Sequence, residues 1–311
     1  MEITAAMVKQ LREMTGAGVM ACKKALVETD GDFDKAIEVL REKGEATAVK
    51  KAGRIAAEGT VLAIVKDDKK AAIVEVNSET DFVAKNDKFR TFVANVADQV
   101  LVTSAADVEG FLEEKWLLDE SKTVKEELVS QIAVIGENMS IRRFAKIDTD
   151  GVVVPYIHAG GRIGVVVEAS TSVINNEVKE CLKNVAMQIA ALNPKYTSRD
   201  EVSEEFIAHE KEILKAQIMN DPKESQKPEK VIEGMINGRI NKEMKEICLL
   251  DQVYVKAEDG KQSVSQYVAE VAKATGSDLK IKGFVRYETG EGIEKKSEDF
   301  AAEVAKQMAG N

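Results

Sequence analysis

Aromatic residues make up only 5% of this 311-residue chain, with a single Trp, which argues against the stacking platforms that read single-stranded nucleic acid. A basic excess is missing too. The net charge of −10 excludes the electrostatic footprint of nonspecific nucleic-acid binding, so no direct nucleic-acid partner is expected. The cysteines, Cys22, Cys181 and Cys248, are odd in number and far apart, which suits free thiols in a reducing compartment rather than a disulfide framework. No apolar run approaches the roughly 20 residues of a membrane span. Met1-Glu2-Ile3-Thr4 carries an acid and no basic region, so no targeting signal and a cytoplasmic location are expected. Catalytic constellations are equally scarce. His158 and His209 are 51 positions apart, and no CxxC, HExxH or GxSxG pattern occurs. The sequence therefore reads as an acidic, cofactor-free, metal-free protein that acts by binding and not as an enzyme.

The length suggests two or more domains, and the pattern predicts an α+β fold. Residues 1 to 44 read as three short helices: Thr4 caps the first, with Val8 and Leu11 inward, and Cys22, Ala25 and Leu26 pack the second. Asp32 caps the third, with Ile37 and Leu40 inward and Gly44 as its stop. Helices this short must share one small core, as docking modules do. Gly16 and Gly18 lack the Gly-Lys-Ser/Thr of a phosphate loop and read as a turn. Val19 and Met20 at that turn are core or interface, and the sequence leaves both open. Residues 45–57 read as a linker. The expected division is 1–54 for the helical docking domain, 55–139 for a first core subdomain, 140–199 with 248–289 for a second, 200–247 for an inserted antiparallel coiled coil, and 290–311 for a C-terminal helix module.

An internal repeat organises the core. Gly59 and Val61 match Gly151 and Val153, and Ile73-Val74 matches Val165-Val166, at an offset of 92; Asn95-Val96-Ala97 and Gln99 match Asn184-Val185-Ala186 and Gln188 at 89. Each copy predicts two antiparallel strands, joined at Asp67-Asp68 or Gly160-Gly161, followed by an amphipathic helix. The lost residues fall where copy one carries Thr80-Asp81-Phe82-Val83-Ala84-Lys85. A Phe in a polar connection needs a reason. It could staple the following helix while Thr80 or Asp81 caps it, or it could be a displayed anchor, since exposed aromatics serve as hot spots. The seven residues alone favour the staple. Copy two, however, builds the same strands and helix with no Phe or Asp there, which tips the reading toward Phe82 as an anchor.

Elsewhere, 105–134 reads as charged and mostly helical, with Trp116 packed on a helix. Ser140–Ile147 reads as a strand pairing with Val152–His158, with Arg142 and Arg143 on opposite faces. His158 reads as a turn or contact residue. Phe206, Ile213 and Leu214, with Ile232, Ile236, Ile240 and Met244, mark the two arms of the hairpin, which could pair with a second copy or simply project. Val253–Val255 is expected to rejoin the sheet, Thr289–Gly292 to be a flexible break, and Phe300, Val304 and Met308 to line a last helix.

Thr15-Gly16-Ala17-Gly18 before Met20, Cys22-Lys23-Lys24-Ala25-Leu26, Thr80–Lys85, Ile135-Gly136-Glu137-Asn138, His158 with Arg162-Ile163-Gly164-Val165, and Gly290–Glu294 stand in one order. Together they make nearly the whole chain resemble the bacterial translation elongation factor Ts family. The resemblance implies a ubiquitin-associated-like N-terminal bundle, a two-part core, an inserted coiled coil and a C-terminal helix module. It implies guanine-nucleotide exchange on elongation factor Tu as the function, and protein biosynthesis as the setting. Carried over, Thr80, Asp81, Phe82 and Val83 contact the partner's nucleotide domain and disturb its Mg²⁺; Arg12, Val19 and Met20 grip another helix; His158 faces a third domain. Without the resemblance, the N-terminal bundle would suggest a plain binding adaptor.

Overall fold

The computed structural model describes residues 3–15 and 17–294. Three helices open the chain: α1 (Ala5–Thr15), α2 (Val19–Glu28) and α3 (Phe33–Lys51). Strands β1 (Glu58–Lys66) and β2 (Lys70–Ser78) lead to a short helix, α4 (Asp81–Ala84), and then α5 (Asp87–Val102). Helix α6 (Val108–Glu113), the hairpin β3 (Lys115–Trp116) and β4 (Asp119–Thr123), and α7 (Val124–Ile135) follow. Next come β5 (Met139–Asp148), β6 (Val152–His158), β7 (Ile163–Ser170) and α8 (Asn176–Leu192). The chain continues through α9 (Glu204–Asn220), α10 (Glu229–Ile247), α11 (Val264–Thr275) and β8 (Lys280–Glu288). The mixture of helices with antiparallel sheets is α+β. Among the described residues, no helix is long and apolar enough to cross a membrane.

The N-terminal helices share a core of Val8, Leu11, Cys22, Ala25, Leu26 and Ala36, with Ile37 and Leu40 half-buried beside it. Thr4 Oγ1 accepts from Met7 N, and Asp32 Oδ1 from Lys35 N, as helix caps. Gly44 does not end α3, which runs on to Lys51 through much of the segment expected to be linker. A Cβ at Gly44 would lie 3.6 Å from Ala133 Cβ and 3.9 Å from Val129 Cγ1 on α7. A methyl there would meet α7 at ordinary contact distance, and the packing of α3 on α7 carries the helix through Gly44 despite the ~1 kcal/mol helix penalty of glycine.

Two three-stranded sheets, ordered β1-β2-β5 and β6-β7-β8, form the body. Their facing sides bury Val61, Ala63, Ala71 and Ile73 against Val153 and Val166. Helix α5 covers the outer side of the first sheet through Phe89, Phe92, Val93 and Val96, and α8 covers the second through Leu182, Val185 and Ile189. The central strands β2 and β7 are thus largely buried on both sides. Asp67 and Asp68 (φ 54° and 58°) turn the first hairpin, and Ala159 and Gly160 (φ 47° and 68°) the second, the positive-φ geometry that suits strand twist. The repeated glycines have a shared cause. A Cβ would stand 2.2 Å from Val76 O at Gly59 and 2.0 Å from Ala169 O at Gly151. The repeated glutamines do as well. Gln99 donates to Lys115 O and accepts from Leu117 N, while Gln188 donates to Val253 O and accepts from Val255 N.

Several expectations are corrected. Strand β5 pairs with β2, not with β6. The 149–151 link passes over the first hairpin, with Thr149 N donating to Lys69 O at 3.0 Å and Val153 N to Asp68 O at 2.8 Å, and so carries the chain between sheets. Arg142 and Arg143 do not oppose each other. Glu75 pairs with Arg143 and Val76 with Ile141, so Arg142 is the extra residue of a bulge, and both guanidinium groups reach Glu75. The 105–134 region contains the β3–β4 hairpin besides its helices, although Trp116 is buried with its ring centroid 6.1 Å from that of Phe92. Val253–Val255 stays outside the sheet and is held instead by Gln188. On the helical hairpin α9–α10, Ile232, Ile236, Ile240 and Met244 are buried, whereas Ile213 remains 37% exposed.

The 289–292 turn is pinned, not loose: Gly290 N donates to Glu75 at 2.8 Å and Thr289 Oγ1 to Gly161 O at 3.1 Å. Phe300, Val304 and Met308 lie outside the described residues.

Candidate functional site

Helix α4 has four residues, too few for independent helical stability, so its neighbours must hold it. Thr80 is its N-cap, with Oγ1 accepting from Val83 N at 3.3 Å. Val83 and Ala84 turn inward against the α5 core. They do the stapling, which leaves Phe82 81% exposed, more than any other large apolar side chain among the described residues. Asp81 Oδ2 accepts from Lys85 Nζ at 2.6 Å, and this bond holds the Asp81 carboxyl below its ordinary range. The ring is therefore flanked by an exposed carboxylate and an exposed ammonium.

The support beneath α4 comes from a distant turn. Glu137 accepts from Thr80 N at 3.0 Å and from Thr80 Oγ1 at 2.7 Å, across 57 positions. Asn138 N donates to Glu79 at 2.6 Å, and Asn138 Nδ2 to Arg54 O at 2.7 Å. Arg54 in turn pairs with Glu79 at 3.5 Å, while Lys51, at the end of α3, donates to Gly136 O. The end of the N-terminal helices, the 136–138 turn and the start of α4 are thus one hydrogen-bonded unit. Sequence reasoning singled out 135–138 only as a turn and a family motif. No local spacing announces a contact at such separation.

His158 is exposed at the end of β6, with Nδ1 at 2.9 Å from Tyr156 Oη, so Nε2 is the nitrogen left outward. Its turn is fixed through Gly161 O, which accepts from Val61 N at 2.7 Å. Val61 is three strand positions from Glu58, the residue that pairs with Ser78 just before α4. The His158 turn and α4 therefore approach the same end of β1. Arg12 on α1 and Val19 (48% exposed) and Met20 (63% exposed) on α2 are exposed in the N-terminal bundle. Among the described residues no group of three or more His, Cys, Asp or Glu could hold a metal ion. What the arrangement offers is an exposed aromatic ring on a short helix whose N-cap is hydrogen-bonded to a distant turn, with exposed side chains at Arg12, Val19, Met20 and His158 besides.

A family model described as Elongation factor TS matches residues 79–291. The chain is 53% identical over 307 residues to Elongation factor Ts of Clostridioides difficile, covering 98% of this chain and 99% of that protein. It is 52% identical over 308 residues to Elongation factor Ts of Clostridium tetani, again covering 98% and 99%.

Proposed function

The chain belongs to the elongation factor Ts family, and from that premise we propose that it is the guanine-nucleotide exchange factor of elongation factor Tu. It acts by binding and does no covalent chemistry of its own. The observation that carries this reading is the 81% exposure of Phe82 on a helix clamped from below. A large apolar ring held in water favours burial in a partner, by about 1.5–3 kcal/mol.

In this reading Asp81 and Phe82 press on the partner's nucleotide domain, and Phe82 enters between two of its helices. Thr80 and Val83 complete the contact. The displacement disturbs the Mg²⁺ beside the bound GDP. Mg²⁺ demands a near-ideal octahedron and bridges protein, water and phosphate, so a small shift removes much of its hold. One ring is comparable with a typical coupling energy of about 1–3 kcal/mol. Further contacts must add: Arg12, Val19 and Met20 on another helix of that domain, His158 on the partner's third domain, and the 290–311 segment on the first. We further propose the five-part division expected from the sequence, with 1–54 as the docking domain and 200–247 as a projecting coiled coil.

By linkage, a factor that weakens GDP binding is itself displaced by GDP. Capture of elongation factor Tu on the immobilised protein tests this directly. Strong capture after the GTPase is emptied with chelator, and release on adding GDP with Mg²⁺, is expected; capture indifferent to nucleotide would leave only the adaptor reading.

A further inference from the structure

Thr80 and α4 make one hydrogen-bonded link to a distant part of the described chain, and Glu137 supplies it. The other side chains bonding this segment, Ser78, Lys85 and Arg90, are local to it. The geometry at Thr80 is directional. A hydroxyl has a single hydrogen, and here it points at Glu137 Oε1 over 2.7 Å. That commitment leaves a lone pair of the same oxygen facing Val83 N at 3.3 Å, which is the helix cap. Glu137 therefore sets the rotation of the cap, the cap sets the first turn of α4, and that turn aims Phe82. The Phe82 side chain, 81% exposed, adds little packing of its own beside that of Val83 and Ala84. The turn that carries Glu137 is also the one that Lys51 and Asn138 tie to the end of the N-terminal helices.

We infer that Glu137 is a positioning residue for nucleotide exchange. It acts through Thr80, and it fixes the bearing of Phe82 relative to the N-terminal contact group. The inference rests on the exchange reading above. A misaimed ring still allows the N-terminal and His158 surfaces to engage, so the defect belongs in the maximal rate rather than in complex formation.

Glu137→Ala and Glu137→Gln, with Thr80→Val and the double variant Thr80→Val/Glu137→Ala, separate this from a general structural role. Fluorescent GDP release from elongation factor Tu is followed as each protein is titrated. Glu137→Ala is expected to lower the maximal rate about tenfold, while the half-saturating concentration stays within about twofold. Glu137→Gln keeps an oxygen for one of the two Thr80 bonds and falls between Ala and the parent. The double variant loses less than the sum of the two single ones, because both remove the Thr80 Oγ1–Glu137 bond, while Thr80→Val keeps the bond from Thr80 N. In the free protein, amide exchange at Val83 and Ala84 accelerates about tenfold in Glu137→Ala while β2 and α7 keep their protection. An unchanged maximal rate, additive losses in the double variant, or unaltered protection at Val83 each overturns the inference. A parent protein that leaves GDP release at its spontaneous rate overturns the exchange reading instead. In that case the amide measurement still decides whether Glu137 holds α4.

Discussion

Truncating Phe82 to alanine separates display from support. The side chain is 81% exposed, and the inward packing of its helix is done by Val83 and Ala84. Removing it should cost the free protein no more than an ordinary surface change, within about 0.5 kcal/mol. The effect on the partner should be far larger. Losing the burial of a Phe ring forfeits about 1.5–3 kcal/mol, and each ~1.36 kcal/mol is tenfold in rate. GDP release at saturating protein should therefore slow by roughly 10- to 150-fold, with Phe82→Leu between the two. Stopped-flow release of a fluorescent GDP gives the rate, and thermal melting gives the control. A second arm adds chelator. Once Mg²⁺ is gone from the partner, displacing it accomplishes nothing, and variant and parent should converge. A release rate unaffected by Phe82→Ala refutes the mechanism. So does a loss of stability near the 3–5 kcal/mol of a core Phe, which would mean that the ring is sealed inside its own fold.

Glu75 is fully buried and accepts from Arg142 at 2.9 Å, Arg143 at 2.6 Å, Asn77 at 3.1 Å and Gly290 N at 2.8 Å; Glu75→Ala should cost about 3 kcal/mol by chemical denaturation, because four donors lose their shared buried acceptor and two guanidinium groups lose its charge. Gly44→Ala should stabilise by up to about 1 kcal/mol in the same assay, since the new methyl meets α7 at the ordinary contact distance of 3.6 Å and the helix gains propensity. For pH, burial alone would raise the Glu114 carboxyl, but hydrogen bonds from Thr103 Oγ1, Ser104 N and Ala105 N hold it below the ordinary 4.5. Its contribution is fully present above that value and is lost as pH falls through the lower folded one, so the melting temperatures of the parent and Glu114→Gln should converge only below about pH 4.5.

Elements with a strong local signal were legible. The α5 and α8 faces, the positive-φ hairpins and the Asp32 cap follow from periodicity and turn chemistry. The duplication was legible as well, and the Phe that copy two lacks proves to be the one turned to solvent. What failed depended on contacts between distant segments. Gly44 looks like a stop until α7 is laid against it. Asp148–Gly151 looks like a hairpin turn until the link is seen riding over Asp67–Lys69. Strict alternation sends Arg142 and Arg143 apart, and one inserted residue opposite Glu75 reverses that. At the candidate site the display of Phe82 was accessible from the repeat, but its foundation in Glu137 was not.

The continuity of α3 from Phe33 to Lys51 has a consequence for how the protein can evolve and be re-engineered. In a flexible tether a residue gained or lost is absorbed silently. In a helix each one advances the chain by 1.5 Å and swings everything beyond it through about 100°. A single insertion between Gly44 and Lys51 would thus dial Arg12, Val19 and Met20 around to a different quarter of the molecule while Phe82 stayed where it was. If the proposed exchange reading holds, the bundle and the ring act as two jaws of a fixed caliper, and the partner has to match their spacing and angle at once.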